Sequence, residues 1–230
     1  MDEDQKITNA VREITKLTII FCIPGNQFSP LFLESWTEVL LWCSLNDIRV
    51  ILSNKQGPNG NIRRNLCLGE FGNTPGQKPF QHKIRYDYLM WIGANCVFTS
   101  EQLQRLLEYD EDIVSGISLL PGQSCYDCIQ KWDETPLFED KVLPYLTIEE
   151  VSGKEDLIEV DYCSLDFTLM KRKVMDSLEY PWFRELELEQ NGKKALLPGD
   201  FYVCQKLREN GFQINVDPAV QVGIEQQVIL

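Results

Sequence analysis

The stretch YDYLMWIGANCVFTSEQLQRLLEYDEDIVSGI (86–117) decides the fold. Its opening, YDYLMWI (86–92), is short, apolar and aromatic, which reads as a buried strand. Gly93-Ala94-Asn95 then breaks the run with no ionisable group, and CVF resumes it. SEQLQRLLEY (100–109) reads as a helix with Ser100 as its cap. DIVSGISLL (112–120) reads as the next strand. A strand, turn, helix and strand in this order form a unit of an α/β fold, in which ligands bind beyond the carboxyl ends of the strands. An uncharged break at such a strand end is therefore the feature to explain.

Working outward, LTIIFCI (17–23) is a β-branched apolar strand followed by a Pro/Gly loop, IPGNQFSP. From residue 29 to 45 a helix is predicted, with Phe32, Trp36, Val39, Leu40 and Cys43 on one face. IRVILS (48–53) is a second strand, NKQGPNGN (54–61) a loop, and RRNLCLGEF the start of another helix. Residues 71–83 read as a polar loop, and 121–154 as an irregular, lid-like region. Strands are expected near LIEV and DYC, a strand passing into a helix at TLMKRKVMDSL (168–178), a helix over 199–210 and a closing strand at FQINV (212–216). The expected architecture is one α/β domain over 17–230, with a mostly parallel central sheet flanked by helices and a tail or short helix at 1–16. Its ligand-side edge gathers Pro24, Gly25 and Asn26, Ser53 to Lys55, and Gly93 to Asn95.

Composition limits the partners. The 230-residue chain is 43% hydrophobic and 25% charged, with a net charge of −13. A basic face able to displace counterions is lacking, so nucleic acid is not an expected partner. No apolar run is long enough to span a bilayer. The polar, acidic start lacks the pattern of a secretory signal, so a cytoplasmic protein is expected. Of eight cysteines, only Cys125 and Cys128 have metal or redox spacing, and no second pair completes a zinc site. Buried free thiols are the expectation, with no role for this pair. Acidic runs such as RELELEQ read as solvated faces.

Taken together, the segments resemble the GT-A fold of glycosyltransferases, from about Leu17 to the end. IIFCIPG is similar to the first strand and its nucleotide-side loop, and IRRNLCL to the segment bearing Arg-Asn near the donor, here Arg64 and Asn65. The 86–117 stretch is similar to the strand that in this family ends in Asp-x-Asp. DFTLMKRKVMDSLEYPWF (166–183) resembles the acceptor-side piece, and GDFYVCQKLRENGFQINVDPAVQVGIE (199–225) the terminal unit. The resemblance implies transfer of a sugar from a nucleotide-sugar donor to an acceptor that the sequence does not name. It also implies Mn or Mg, held by the Asp-x-Asp carboxylates and a late His, to neutralise the departing diphosphate. A carboxylate takes the proton of the acceptor hydroxyl.

This chain departs from that pattern at the metal. Gly93-Ala94-Asn95 stands for Asp-x-Asp, Gly199-Asp200 for Glu-Asp, and Ile224 for the late His. Asn95 retains an amide oxygen as a weak metal ligand; Gly93 and Ile224 supply none. The resemblance then implies Asp200 as catalytic base, which could equally be a helix cap. It implies Pro24, Gly25, Asn26, Ser53, Arg64, Asn65, Gly93 and Asn95 on the donor. Asp166 and Trp182 fall on the acceptor side, their alternatives being a solvated edge carboxylate and a packed aromatic. Arg64 could carry part of the leaving-group charge through its guanidinium fork. Three functions stay open: a transferase with weak or no metal dependence; an inactive GT-A-like protein binding a nucleotide, a glycan or a partner chain; and a nucleotidyltransferase of related fold, against which the uncharged Gly93–Asn95 break also counts.

Overall fold

A computed structural model describes residues 16–70 and 76–226. The expectation of a tail or short helix at residues 1–16 lies outside them, save for Lys16.

The chain begins with β1 (Thr18–Cys22), the helix Pro30–Leu45, β2 (Arg49–Ser53) and the helix Gly60–Cys67. Next come β3 (Tyr88–Ile92), β4 (Cys96–Val97), the helix Ser100–Glu108, β5 (Ile113–Ile117) and β6 (Cys128–Ile129). Two short helices, Thr135–Glu139 and Ile148–Val151, precede β7 (Ile158–Val160), β8 (Tyr162–Cys163) and β9 (Phe167–Lys171). The helix Arg172–Ser177, a hairpin of β10 (Leu186–Gln190) and β11 (Lys193–Leu197), and the helix Gly199–Glu209 follow. β12 (Ile214–Gln221) and β13 (Gly223–Ile224) close the described chain.

Seven strands form the central sheet in the order β2-β1-β3-β9-β5-β12-β7. β1 is parallel to β2 and β3, β12 is parallel to β5, and β9 and β7 are antiparallel to their neighbours. Five of the seven therefore point the same way, the mostly parallel α/β sheet of a GT-A-like fold. Alternation along each strand sorts side chains between two cores. Ile20, Cys22, Leu89 and Trp91 enter one; Ile19, Phe21, Met90 and Ile92 enter the other. Each buried large apolar side chain contributes roughly 1.5–3 kcal/mol, so the sheet is fixed by both faces together.

Local chemistry sets the helix starts. Ser29 accepts from the Phe32 N–H at 3.0 Å, and Pro30 stands in the first turn, where its missing N–H costs nothing. Asn59 accepts from the Ile62 N–H at 2.9 Å. The cap expected at Ser100 falls one residue earlier. Thr99 forms a capping box with Gln102, while the Ser100 hydroxyl donates to Glu38 at 2.7 Å.

Two further expectations are corrected. The lid-like region at 121–154 is a packed layer, because Tyr126, Cys128, Ile129, Phe138, Leu146 and Val151 bury into the larger core. β6 pairs with β8 there, Cys128 opposite Cys163. The acidic run RELELEQ is not a plain solvated face. It holds β10, with Leu188 buried and Glu187 and Glu189 outward, turned back on β11 through Asn191 and Gly192. All eight cysteines are free thiols, seven of them buried.

Candidate functional site

The parallel strands β1, β2, β3 and β5 end on one edge, and β9 begins there, since Phe167 pairs with Ile92. Arg64, in the last turn of the helix after β2, reaches this edge. Its Nη1 lies 2.6 Å from Asp200 Oδ1 and its Nη2 3.4 Å from Asp166 Oδ1. Its guanidinium carbon stands 5.7 Å from the Phe183 ring centroid. Asp200 lies in the first turn of its helix, whose N-cap is Pro198 with no side-chain cap, so the carboxylate serves Arg64 rather than the helix end. The close approach to Asp200 lacks hydrogen-bond alignment. Arg64 Nε and Asp200 Oδ1 remain buried without hydrogen-bond partners, leaving polar capacity at the pair unfilled.

A third carboxylate completes the cluster. Asp127 is pinned on both sides by its backbone, donating to Ser118 O and accepting from the Ser164 N–H, each at 2.9 Å. Its side chain accepts from the Tyr162 hydroxyl at 3.2 Å. The Tyr162 ring stacks on Phe201 at 3.7 Å with 6° between the planes. Burial, reinforced by the charges of Asp166 and Asp200, pushes the Asp127 pKa up to about 7. Burial also raises the Asp200 carboxyl, against the opposing pull of Arg64. For Arg64, burial opposes the charge, yet Asp200 and Asp166 outweigh it and hold the guanidinium protonated.

Gly93 explains the uncharged strand end. A Cβ there would come 2.8 Å from the Asp166 carboxylate, and the Gly93 N–H donates to Asp166 O at 2.9 Å. The space where the resemblance places a first carboxylate is filled by Asp166, from the turn just before β9. Asn95 lies to the other side. Its backbone carbonyl accepts from Glu225 N–H at 2.9 Å and its amide donates to Glu225 O at 3.2 Å. Ile224 pairs with Cys96 in the β4–β13 ladder, so the late position does stand beside Asn95, but with an apolar side chain. Glu225 in turn accepts from Ser29.

The remaining expected residues divide. Gly25 packs against the 93–95 turn, since an added Cβ would meet Ala94 Cβ at 2.4 Å. Pro24 is half-buried and Asn26 exposed beside it. The Ser53 hydroxyl donates to Cys67 O at 2.6 Å. Asn65 is buried, with its amide spent on both backbone groups of Phe183, at 2.8 and 3.0 Å, which corrects its assignment to the donor. Trp182 is corrected too: it is 0% exposed, a core residue that no sugar can reach. The structure thus unites Arg64, Gly93, Asp166 and Asp200. It adds Asp127 and Tyr162, which the sequence did not single out; the only local signal was an Asp between two cysteines.

These donors do not fit a divalent cation. Asn95 offers one neutral amide, Ile224 none, and the Asp166 and Asp200 carboxylates are engaged by Arg64. Among the described residues no three His, Cys, Asp or Glu side chains converge to hold a metal ion.

No protein-family model and no curated protein matches the chain. Solved structures do. The crystal structure of A197 from STIV is 15% identical with a TM-score of 0.51, over 93% of this chain and 96% of that one. GalNAc-T7, a glycosyltransferase crystallised with UDP, GalNAc and Mn2+, is 13% identical with a TM-score of 0.52. That match covers 93% of this chain and 45% of GalNAc-T7, so the chain spans under half of that protein's length. At these identities the likeness is one of fold. The class so defined is an α/β domain of GT-A-like fold with an arginine–aspartate cluster at the edge where its parallel strands end. No helix among the described residues is long and apolar enough to cross a membrane.

Proposed function

We propose that the chain is a nucleotide-sugar-dependent glycosyltransferase whose resident cation is the Arg64 guanidinium. One observation carries this reading: beyond the carboxyl ends of the strands, where α/β sheets bind ligands, a single arginine is held by Asp200 and by Asp166, whose carboxylate occupies the space that Gly93 leaves open. A planar guanidinium suits the oxygens of a departing diphosphate, and a partly dry site strengthens it. Asp200 fixes Arg64, and Asp166 stands at the mouth of the cluster with its side chain 31% exposed. On binding, the phosphate exchanges with Asp166 for the outer nitrogen of the fork. The donor nucleotide rests on the loop of Pro24, Gly25 and Asn26 and on the turn at Gly93 and Asn95; the acceptor enters past Asp166.

A second reading, a GT-A-like protein that binds nucleotide, glycan or partner without turnover, is favoured by one contact. Gly25 and Ala94 touch, which narrows the gap between the two donor-side loops.

Thermal shift and nucleotide release with UDP-, GDP- and TDP-sugars, each with and without Mn2+, separate the two. The transferase reading expects stabilisation and nucleotide release that Mn2+ does not change and that Arg64→Met abolishes. Stabilisation without release supports the binding protein. No shift with any nucleotide would sink both.

A further inference from the structure

We propose that Asp127, held by Tyr162 at the rim of the Arg64 cluster, is the group that takes the proton from the incoming acceptor hydroxyl. This rests on the transferase reading above and moves the proton-accepting role away from Asp200.

The geometry separates the three carboxylates by task. Asp200 lies 2.6 Å from Arg64 and is 7% exposed. A carboxylate so buried against a guanidinium is kept as a counter-ion, and protonating it would strand the arginine charge. Asp166 shares the same guanidinium at 3.4 Å. Asp127 is only half-buried and, among the described residues, forms no ion pair with any lysine or arginine. Its side-chain partner among the described residues is a neutral hydroxyl, Tyr162, whose ring is fixed by stacking on Phe201. Among the described residues no cation is paired with Asp127, and Arg64 acts on it only through space.

Electrostatics suit this role. The charges acting on Asp127 are those of Asp166, Asp200 and Arg64, and the Tyr162 hydroxyl acts on it through a hydrogen bond. Tyr145, Cys125 and Cys128 lie within its field too: burial first, and the Asp127 charge second, push their titration upward. Two carboxylates already neutralise the single guanidinium, so a third negative charge is disfavoured. Burial first, and these charges second, push the Asp127 pKa up to about 7. A base poised near the working pH can take a proton and release it each cycle. In the step, the acceptor oxygen bonds to the anomeric carbon as its proton passes to Asp127. The bond from that carbon to the diphosphate breaks, its electron pair leaving on the phosphate oxygen beside Arg64.

The test follows nucleotide release from a UDP-, GDP- or TDP-sugar, with water or a simple glycoside as acceptor. Asp127→Asn is expected to lower kcat on the order of 10²- to 10⁴-fold while keeping the thermal shift by nucleotide. The wild-type rate should rise with pH through an inflection near 7, and that limb should vanish in Asp127→Asn. Tyr162→Phe removes a bond that favours the carboxylate, so the limb should move to higher pH. A wild-type rate or an unchanged pH profile in Asp127→Asn overturns the proposal, as does nucleotide binding by the wild type with no release. Carboxyl-carbon NMR of the intact protein decides independently of folding of the variants. Titration of Asp127 near pH 7 supports it, and titration near the ordinary value of about 4 overturns it. Absence of any nucleotide shift instead rejects the underlying donor-site reading.

Discussion

A glycine and an aspartate carry most of the meaning of this site. Gly93 looked in sequence like a lost ligand; in the fold it is the clearance that Asp166 needs. Gly93→Ala would bring a methyl group to 2.8 Å from that carboxylate and force it off Arg64. The expected cost is about 1–3 kcal/mol, as for other overpacked sites, read as a lower midpoint in urea unfolding. Asp127 makes a second expectation, with a definite sign. Its folded pKa, about 7, lies above the unfolded value of roughly 4. A carboxyl raised in this way leaves stability intact below pH 4 and erodes it as pH climbs toward 7, on the order of 4 kcal/mol when complete. Asp127→Asn lacks this term. Urea unfolding at pH 5 and pH 8 should therefore show the variant gaining on the wild type at the higher pH. An equal gap at both values would mean that Asp127 ionises normally.

At the scale of elements, the regular segments were largely legible and the paired ones were not. Continuous apolar runs such as TIIFC and YLMWI, and the helix start at Ser29, state their structure locally, while the helix Gly60–Cys67 begins inside the stretch expected as a loop. The β10–β11 hairpin was also written locally, in the Asn191-Gly192 pair between Gln190 and Lys193, but the acidic residues around it obscured the alternation. Asn191 and Gly192 both have positive φ, 50° and 75°, as a two-residue hairpin turn requires. Gly192→Ala should cost about 1–2 kcal/mol, because an alanine strains in that region although nothing lies within 4 Å of the added methyl. Thermal unfolding of the variant measures it; no loss would contradict the turn geometry. The segment at 121–154 was illegible for a different reason. Its strand has only two residues, and its order comes from Cys128–Cys163 pairing and burial, neither of which leaves a local period.

At the scale of the whole molecule, the sequence by itself determined the α/β class and the mostly parallel sheet. Alternation and turn chemistry are properties of neighbours in the chain. It also marked Arg64, Asp166 and Asp200 as residues of interest, and the departure at Gly93, Asn95 and Ile224 from a metal-binding pattern. Only the tertiary structure decided that the three charged residues form one cluster, since Arg64 and Asp166 are 102 residues apart. It alone removed Trp182 and Asn65 from the site, because their burial depends on what packs above them. It alone brought in Asp127 and Tyr162, whose pairing spans 35 residues. Charge and burial at a point in space are sums over the whole fold, and no window of sequence contains that sum.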